Sequence, residues 1–178
     1  MKPNTLVLLI IVAITAVGLG VMMSRANTSS DISYPALLNA NLVEASSVTA
    51  EPTSTTIGEK LGDLTVVNFW ATWCAPCRHE MPMFQSIFAE MSNNEKSFVI
   101  VGVTIDSIEQ AIPTLDSMGI TYPIVYAELT GNELMASVGN PQGLLPYTLV
   151  LDANGQVVEQ KIGRVNREDV LAWIDTYL

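Results

Sequence analysis

The sequence has few of the residues from which functional sites are usually built. Its 178 residues include only two cysteines and one histidine, and 8 basic residues stand against 18 acidic ones. The resulting net charge of −10 opposes contact with nucleic acid, so we expect no nucleic-acid partner. A glycine-rich phosphate loop and a Ser/His/Asp arrangement are both missing from the sequence. These absences leave the two cysteines as the main candidates for chemistry.

Charge is also missing from residues 5–23, which are mostly apolar. At about 1.5 Å per residue, a helix of this length spans the roughly 30 Å of a bilayer core. We therefore predict a membrane anchor over residues 1–25, and the few charges that flank it favour a location outside the cytoplasm for the rest of the chain. A cleavable secretory signal is the alternative, with Ser24-Arg25-Ala26 as a weak cleavage site. Both interpretations predict export.

The rest of the chain divides into two segments by composition. Residues 26–52 are rich in serine, threonine, asparagine and alanine, which predicts an extracytoplasmic tether. Within the tether, the short apolar patch Tyr34–Leu38 can dock on the domain edge. Residues 53–178 contain regular hydrophobic patterns and are predicted to form one domain.

The domain is predicted to be an α/β fold in which helices cover both faces of a mixed sheet. The order of elements is β-α-β-α, then a short strand and helix, then a β-hairpin and a final helix. The Asn-Gly pair at 154–155 marks the hairpin, and Asn166 is the expected N-cap of the final helix. The predicted strands are 64–70, 97–105, 122–126, 147–151 and 156–162, and the predicted helices are 78–91, 107–118, 132–138 and 168–178.

Cys74 and Cys77 stand between the first of these strands and the first helix. A helix N-terminus favours negative charge, which stabilises a thiolate at Cys74 and makes it nucleophilic. The spacing Cys-x-x-Cys in this setting is typical of a dithiol/disulfide redox pair. A purely structural disulfide is the alternative, but so short a loop removes little entropy from the unfolded chain.

Two segments together resemble a known family. The segment from Val66 to Pro82, VVNFWATWCAPCRHEMP, and the distant segment Gly143–Thr148, GLLPYT, are similar to those of membrane-anchored thioredoxin-like proteins of the TlpA/ResA type. The resemblance covers residues 53–178 and implies a thioredoxin-like fold and thiol–disulfide oxidoreductase activity. It implies a single-pass protein of the inner (cytoplasmic) membrane whose domain faces the periplasm. It also implies a reducing role toward exported proteins such as apocytochrome c, supplied with electrons by a transmembrane donor.

The resemblance also implies roles for individual residues. Cys74 is the attacking thiol, open to solvent, and Cys77 resolves the mixed disulfide. Pro146 is implied to follow a cis peptide bond and to lie against the cysteine pair. The residues implied to contact substrate are Trp73, Pro76, Leu145 and Tyr147.

Glu80 is the remaining catalytic candidate. Many thioredoxins carry a buried aspartate six residues before the first cysteine, but this chain has Asn68 there, which cannot ionise. Glu80 matches an acidic position of the ResA-like branch, where a carboxylate can exchange protons with Cys77. The alternative is a surface glutamate paired with Arg78 or with nothing.

We expect no cofactor beyond the redox-active disulfide and no bound metal. Three rival functions remain open at this point: a disulfide oxidase with the same chemistry, a Cu(I)-handling metallochaperone, and a binding domain with an inert disulfide. The Cu(I) interpretation uses the cysteines with His79 and the nearby Met81 and Met83. No further cysteine or histidine exists to complete a tetrahedral site.

Overall fold

The computed structural model describes residues 34–45, 51–92 and 96–178. The predicted anchor over residues 1–25 and much of the predicted tether lie outside these ranges. Within them, no helix is both long enough and apolar enough to span a bilayer.

Twelve regular elements occur in the described ranges, apart from two short 3₁₀ turns. They follow the predicted alternation of strands and helices, with additional elements at the beginning. In chain order they are α1 (Pro35–Leu38), β1 (Leu42–Glu44), β2 (Thr53–Thr55), β3 (Leu64–Trp70), α2 (Ala75–Met91), β4 (Phe98–Thr104), α3 (Ile108–Met118), β5 (Ile124–Tyr126), α4 (Gly131–Ser137), β6 (Tyr147–Asp152), β7 (Val157–Ile162) and α5 (Arg167–Tyr177).

The strands form one mixed sheet in the order β2-β1-β5-β4-β3-β6-β7. β3 lies between the parallel β4 and the antiparallel β6, and all seven of its residues are buried. Such an uncharged, largely β-branched and aromatic run suits a strand covered on both faces. Because β3 and β4 are parallel, Trp70 and Thr104 end them at the same edge of the sheet. The segment that carries the cysteines begins at this edge.

Buried apolar side chains form two clusters, and helices contribute to both. One cluster joins the sheet to α2, α3 and α5 through residues such as Phe84, Leu115 and Trp173. The other joins it to α1 and α4 through Leu37 and Met135. A mixed sheet with helices on both faces was predicted from the sequence, and that prediction is confirmed.

Local sequence signals account for where several helices begin and end. Asn166 caps α5 by accepting a hydrogen bond from the Asp169 backbone N–H, as predicted. Ser107 and Gln110 form a capping box at the start of α3. α3 ends at Gly119, whose φ of 64° is the left-handed conformation that glycine adopts without strain.

The N-terminal part of the domain differs from the prediction. Part of the segment assigned to a tether is ordered into α1 and β1, and β1 pairs with both β2 and β5. The apolar patch 34–38 does pack on the domain, because Leu37 is fully buried. The packed domain therefore starts before residue 53. The two extra strands have only three residues each, too few for their sequences to show a periodic pattern.

Candidate active site

Cys74 and Cys77 form a disulfide at the beginning of α2. Cys74 is the N-cap residue, its backbone is extended, and its Sγ accepts a hydrogen bond of 3.3 Å from the Cys77 backbone N–H. Pro76 lies in the first turn, where a missing N–H costs nothing. The helix therefore starts at Ala75, three residues earlier than predicted, and the cysteine sulfur takes the place of a capping oxygen.

The disulfide is less exposed than expected. Cys74 was predicted to be open to solvent, but only 4% of it is exposed, and Cys77 is completely buried. The neighbouring Trp73 is 67% exposed and lies at the surface beside the pair. A partner therefore reaches Cys74 through a small opening, and access to Cys77 from solvent is closed. This asymmetry agrees with the order of attack implied by the resemblance.

The loop before Cys74 is fixed from the end of the neighbouring strand. The Asp106 carboxylate accepts a hydrogen bond of 2.5 Å from the Thr72 backbone N–H. The Cys74 N–H donates to the Ala71 carbonyl, closing a turn. Asp106 was not among the predicted site residues. Its position just after a buried strand that ends at the same edge as β3 is the sequence signal that could have identified it.

Glu80 is buried one helical turn after Cys77 instead of lying on the surface. It follows Cys77 by three residues on α2, which places the two side chains on the same face of the helix. Only 1% of Glu80 is exposed. Its Oε1 accepts from the Asn68 side-chain amide and its Oε2 from the Val165 backbone N–H, both at 2.8 Å. The alternative of a surface glutamate paired with Arg78 is wrong.

Asn68 positions this carboxyl group. It lies in the middle of the fully buried β3, where it pairs with Thr148 of β6. Its amide nitrogen donates to Glu80 and also, at 3.0 Å, to the Thr148 hydroxyl. Asn68 of β3 therefore holds the Glu80 carboxyl group, which α2 supplies. Thr148 was not predicted, although a lone hydroxyl in an apolar strand opposite Asn68 is a recognisable signal.

The environment of Glu80 changes its titration. Burial is the largest influence and raises the pKa of Glu80 from 4.5 to about 7. The two hydrogen bonds to the carboxyl group favour its charged form and oppose this shift, as do the positive charges of Arg164 and Lys161. A carboxyl group with a pKa near 7 can both accept and release a proton at neutral pH.

Pro146 lies at the same edge of the sheet as the cysteine segment. Since Tyr147 pairs with Phe69, the residue before β6 lies beside the end of β3. The Leu145–Pro146 peptide bond is cis, as the resemblance implies. Pro146 is buried and Leu145 is partly buried against the core. The roles of these two residues toward a substrate stay predictions.

Tyr147 does not present its side chain to a substrate. The ring is buried in the cluster that contains Phe69, with ring centroids 5.8 Å apart, whereas the cysteines belong to the cluster on α2. The Tyr147 hydroxyl donates to the Val138 carbonyl. Successive strand side chains alternate between the two sheet faces, and this residue is on the face away from the pair. The implied substrate contact by this side chain is therefore corrected to a core position.

The structure gives no support to a metal centre. Among residues 34–45, 51–92 and 96–178, no group of three or more His, Cys, Asp or Glu side chains is arranged to hold a metal ion. His79, the third ligand in the Cu(I) interpretation, is exposed on α2, while Met81 is fully buried in the core.

Known proteins are similar to this chain in sequence. The model of the Redoxin family matches residues 31–174. Thiol-disulfide oxidoreductase ResA of Bacillus anthracis is 29% identical over 109 residues, which are 61% of this chain and 60% of that protein. Sporulation thiol-disulfide oxidoreductase A of Bacillus subtilis is 29% identical over 116 residues, or 64% of this chain and 68% of that protein. The match spans between 46% and 60% of the length of the first ResA relatives.

Solved structures resemble the fold as well. StoA from Bacillus subtilis has a TM-score of 0.56 and 28% identity, and the match covers 71% of this chain and 92% of that one. A thioredoxin-related protein from Neisseria meningitidis serogroup B has a TM-score of 0.61 and 27% identity, covering 69% of this chain and 90% of that one. The fold is therefore thioredoxin-like.

Proposed function

Because the chain belongs to the Redoxin family, we propose that it is a thiol–disulfide oxidoreductase whose working pair is Cys74 and Cys77. The observation that carries this proposal is the position of the pair. The less buried cysteine caps a helix, its partner is sealed inside the first turn, and the buried Glu80 follows on the same helix face. The names of the relatives from Bacillus species support the same activity.

The proposed reaction begins with the reduced protein. The Cys74 thiolate attacks one sulfur of a substrate disulfide, forms a mixed disulfide, and releases the first substrate thiolate. The Cys77 thiolate then attacks the Cys74 sulfur and releases the second substrate thiolate. Two electrons pass from the protein to the substrate, and the disulfide seen in the structure is the oxidised product.

Glu80 supports the second step in this proposal. Cys77 must lose its proton before it can attack, and it is closed off from water. The Glu80 carboxylate lies one helical turn away and has a pKa near 7, so it is suited to take that proton. Asn68 and Val165 keep the carboxyl group in place, because each donates a hydrogen bond to one of its oxygens.

We further propose that the protein acts as a reductant outside the cytoplasm. The uncharged run at residues 5–23 supports an anchor in the inner membrane, with the domain facing the periplasm. An oxidising compartment does not re-reduce such a pair, so a transmembrane electron donor is required. Disulfides in exported proteins are the proposed substrates, with apocytochrome c suggested by the family resemblance alone.

A single-turnover experiment tests the activity. We expect the fully reduced protein to convert one equivalent of a peptide disulfide to two thiols while the Cys74–Cys77 disulfide forms. The measurement is a thiol titration together with the mass of the protein, which decreases by two hydrogens. A Cys74→Ala variant should leave the peptide oxidised. Equal conversion by this variant would contradict the proposed role of Cys74.

A further inference from the structure

A groove that the proposed reaction does not use opens beside the disulfide. It has a volume of about 330 Å³ and lies between the first turns of α2 and the second half of α3. α2 contributes Ala75, Arg78 and His79 to its wall, and residues from α3 include Pro113, Thr114 and Ser117. The groove is therefore continuous with the helix turn that contains both cysteines.

The charge of this groove is opposite to that of the chain as a whole. The sequence has 18 acidic and 8 basic residues, yet the described residues of the groove wall include two basic side chains and no carboxylate. Arg78 and His79 are both exposed. Neither side chain has an ion-pair or hydrogen-bond partner among the residues that the structure describes.

Three of the other basic side chains of the described domain are neutralised locally. Lys60 pairs with Glu44 at 2.5 Å and Lys161 with Asp169 at 2.6 Å. Arg167 likewise pairs with Glu90 across two helices. Arg78 thus differs from these residues in keeping its charge available next to the reactive pair. An available charge beside a reactive site is suited to recognising an oppositely charged partner.

We propose that this groove binds an acidic segment next to the reactive cysteine of a protein substrate. The inference rests on the proposed function and specifies its substrate class. The Arg78 N–H bonds to the Cys74 carbonyl, so Arg78 lies one helical turn, about 5.4 Å along the axis, from the attacking cysteine. An extended chain advances about 3.3 Å per residue, which places the recognised carboxylates about two residues from the substrate cysteine.

The test uses three peptide disulfides that differ only at those flanking positions, which carry Glu, Gln or Lys. We expect the pre-reduced full chain to reduce the acidic peptide with a second-order rate constant about three-fold above that of the neutral peptide at low salt, as one exposed ion pair with Arg78 implies. The preference should shrink as salt is added. In the double variant Arg78→Gln/His79→Gln, the acidic-to-neutral ratio should fall to about one.

The ratio separates recognition from reactivity. Loss of a positive charge near Cys74 also changes its reactivity, but that change affects all three peptides equally and cancels in the ratio. Lys96→Gln is the matched control, because this exposed lysine precedes β4 at the opposite edge of the sheet. Its ratio should equal that of the unmodified chain.

The outcomes distinguish the inference from the function on which it rests. A reduction rate that does not depend on peptide charge would overturn the groove assignment but not the proposed function. The same holds if the acidic-to-neutral ratio is unchanged in the double variant. Failure to reduce any peptide would contradict the proposed function. In that event, binding of the acidic peptide to the groove is tested with peptides that carry serine in place of cysteine. Chemical-shift changes in α2 and α3 on titration of the acidic peptide support binding, and their absence overturns it.

Discussion

Replacement of Cys77 by serine is expected to abolish turnover and to trap the substrate on Cys74. Serine cannot attack the Cys74 sulfur, so the reaction stops at the mixed disulfide. Cys77 is completely buried, and we therefore expect no other thiol to replace it in this step. Mass spectrometry under non-reducing conditions should show one covalently attached peptide per protein, which dithiothreitol releases.

The matched control for this trap is Cys74→Ser. This variant keeps a thiol in the first turn of α2, but that thiol is sealed from solvent. It should form no adduct in the time that Cys77→Ser needs to react fully. Equal trapping by the two variants would mean that Cys77 can be attacked directly, and the assignment of the two roles would then be wrong.

Glu80→Gln is expected to remove the pH dependence of the resolving step near neutrality. In the unmodified protein this step should accelerate as pH rises through about 7, because the Glu80 carboxylate that accepts the proton becomes populated. The variant has no titrating group at this position. Single-turnover rates measured from pH 5 to 9 should therefore lose the inflection near 7, and the step at high pH should be slower than in the unmodified protein.

Glu80→Gln is also expected to change the free energy of unfolding, and the raised pKa of Glu80 gives the sign of that change. The pKa of Glu80 is about 7 in the folded protein against an ordinary 4.5, so the folded state holds more protons between these values. Stability from this group is therefore highest below about 4.5 and falls as pH rises to 7. The total fall is at most about 3 kcal/mol. Glu80→Gln should lack this fall and be the more stable protein at pH 8.

The surrounding hydrogen bonds allow the substitution without breaking the site. The new amide oxygen can still accept from Val165. The Asn68 Oδ1 has no hydrogen-bond partner among the described residues, so a rotated Asn68 amide can accept from the new NH₂ group. Urea unfolding of the oxidised proteins at several pH values measures the effect, with Glu133→Gln on the exposed face of α4 as control. An unchanged pH slope in Glu80→Gln would contradict the buried, protonated carboxyl group.

Continuous local patterns predicted most of the fold. β3 has the predicted boundaries, since seven uncharged residues in a row specify a buried strand. The hairpin turn between β6 and β7 forms at Asp152–Gly155, where the Gly155 N–H bonds to the Asp152 carbonyl. These features depend on residues close together in the chain, which is why the sequence alone specifies them.

Features that depend on distant residues were not predictable in this way. The Val165 N–H that binds Glu80 is 85 positions away, and no spacing rule connects a loop before α5 with the first turns of α2. The burial of Cys74 likewise depends on how loops and helices meet at one edge of the sheet. Asn68 was recognised as a residue that cannot ionise, but its contact with Glu80 required the packing of α2 on β3.

The reduction potential of the Cys74–Cys77 pair tests the central proposal most directly. Equilibration with glutathione and dithiothreitol mixtures, followed by separation of the oxidised and reduced forms, gives its value. A reductant supplied by a transmembrane donor predicts a potential near the roughly −270 mV of thioredoxin. A value near about −120 mV, typical of a dedicated oxidant, would contradict the proposed direction of electron flow.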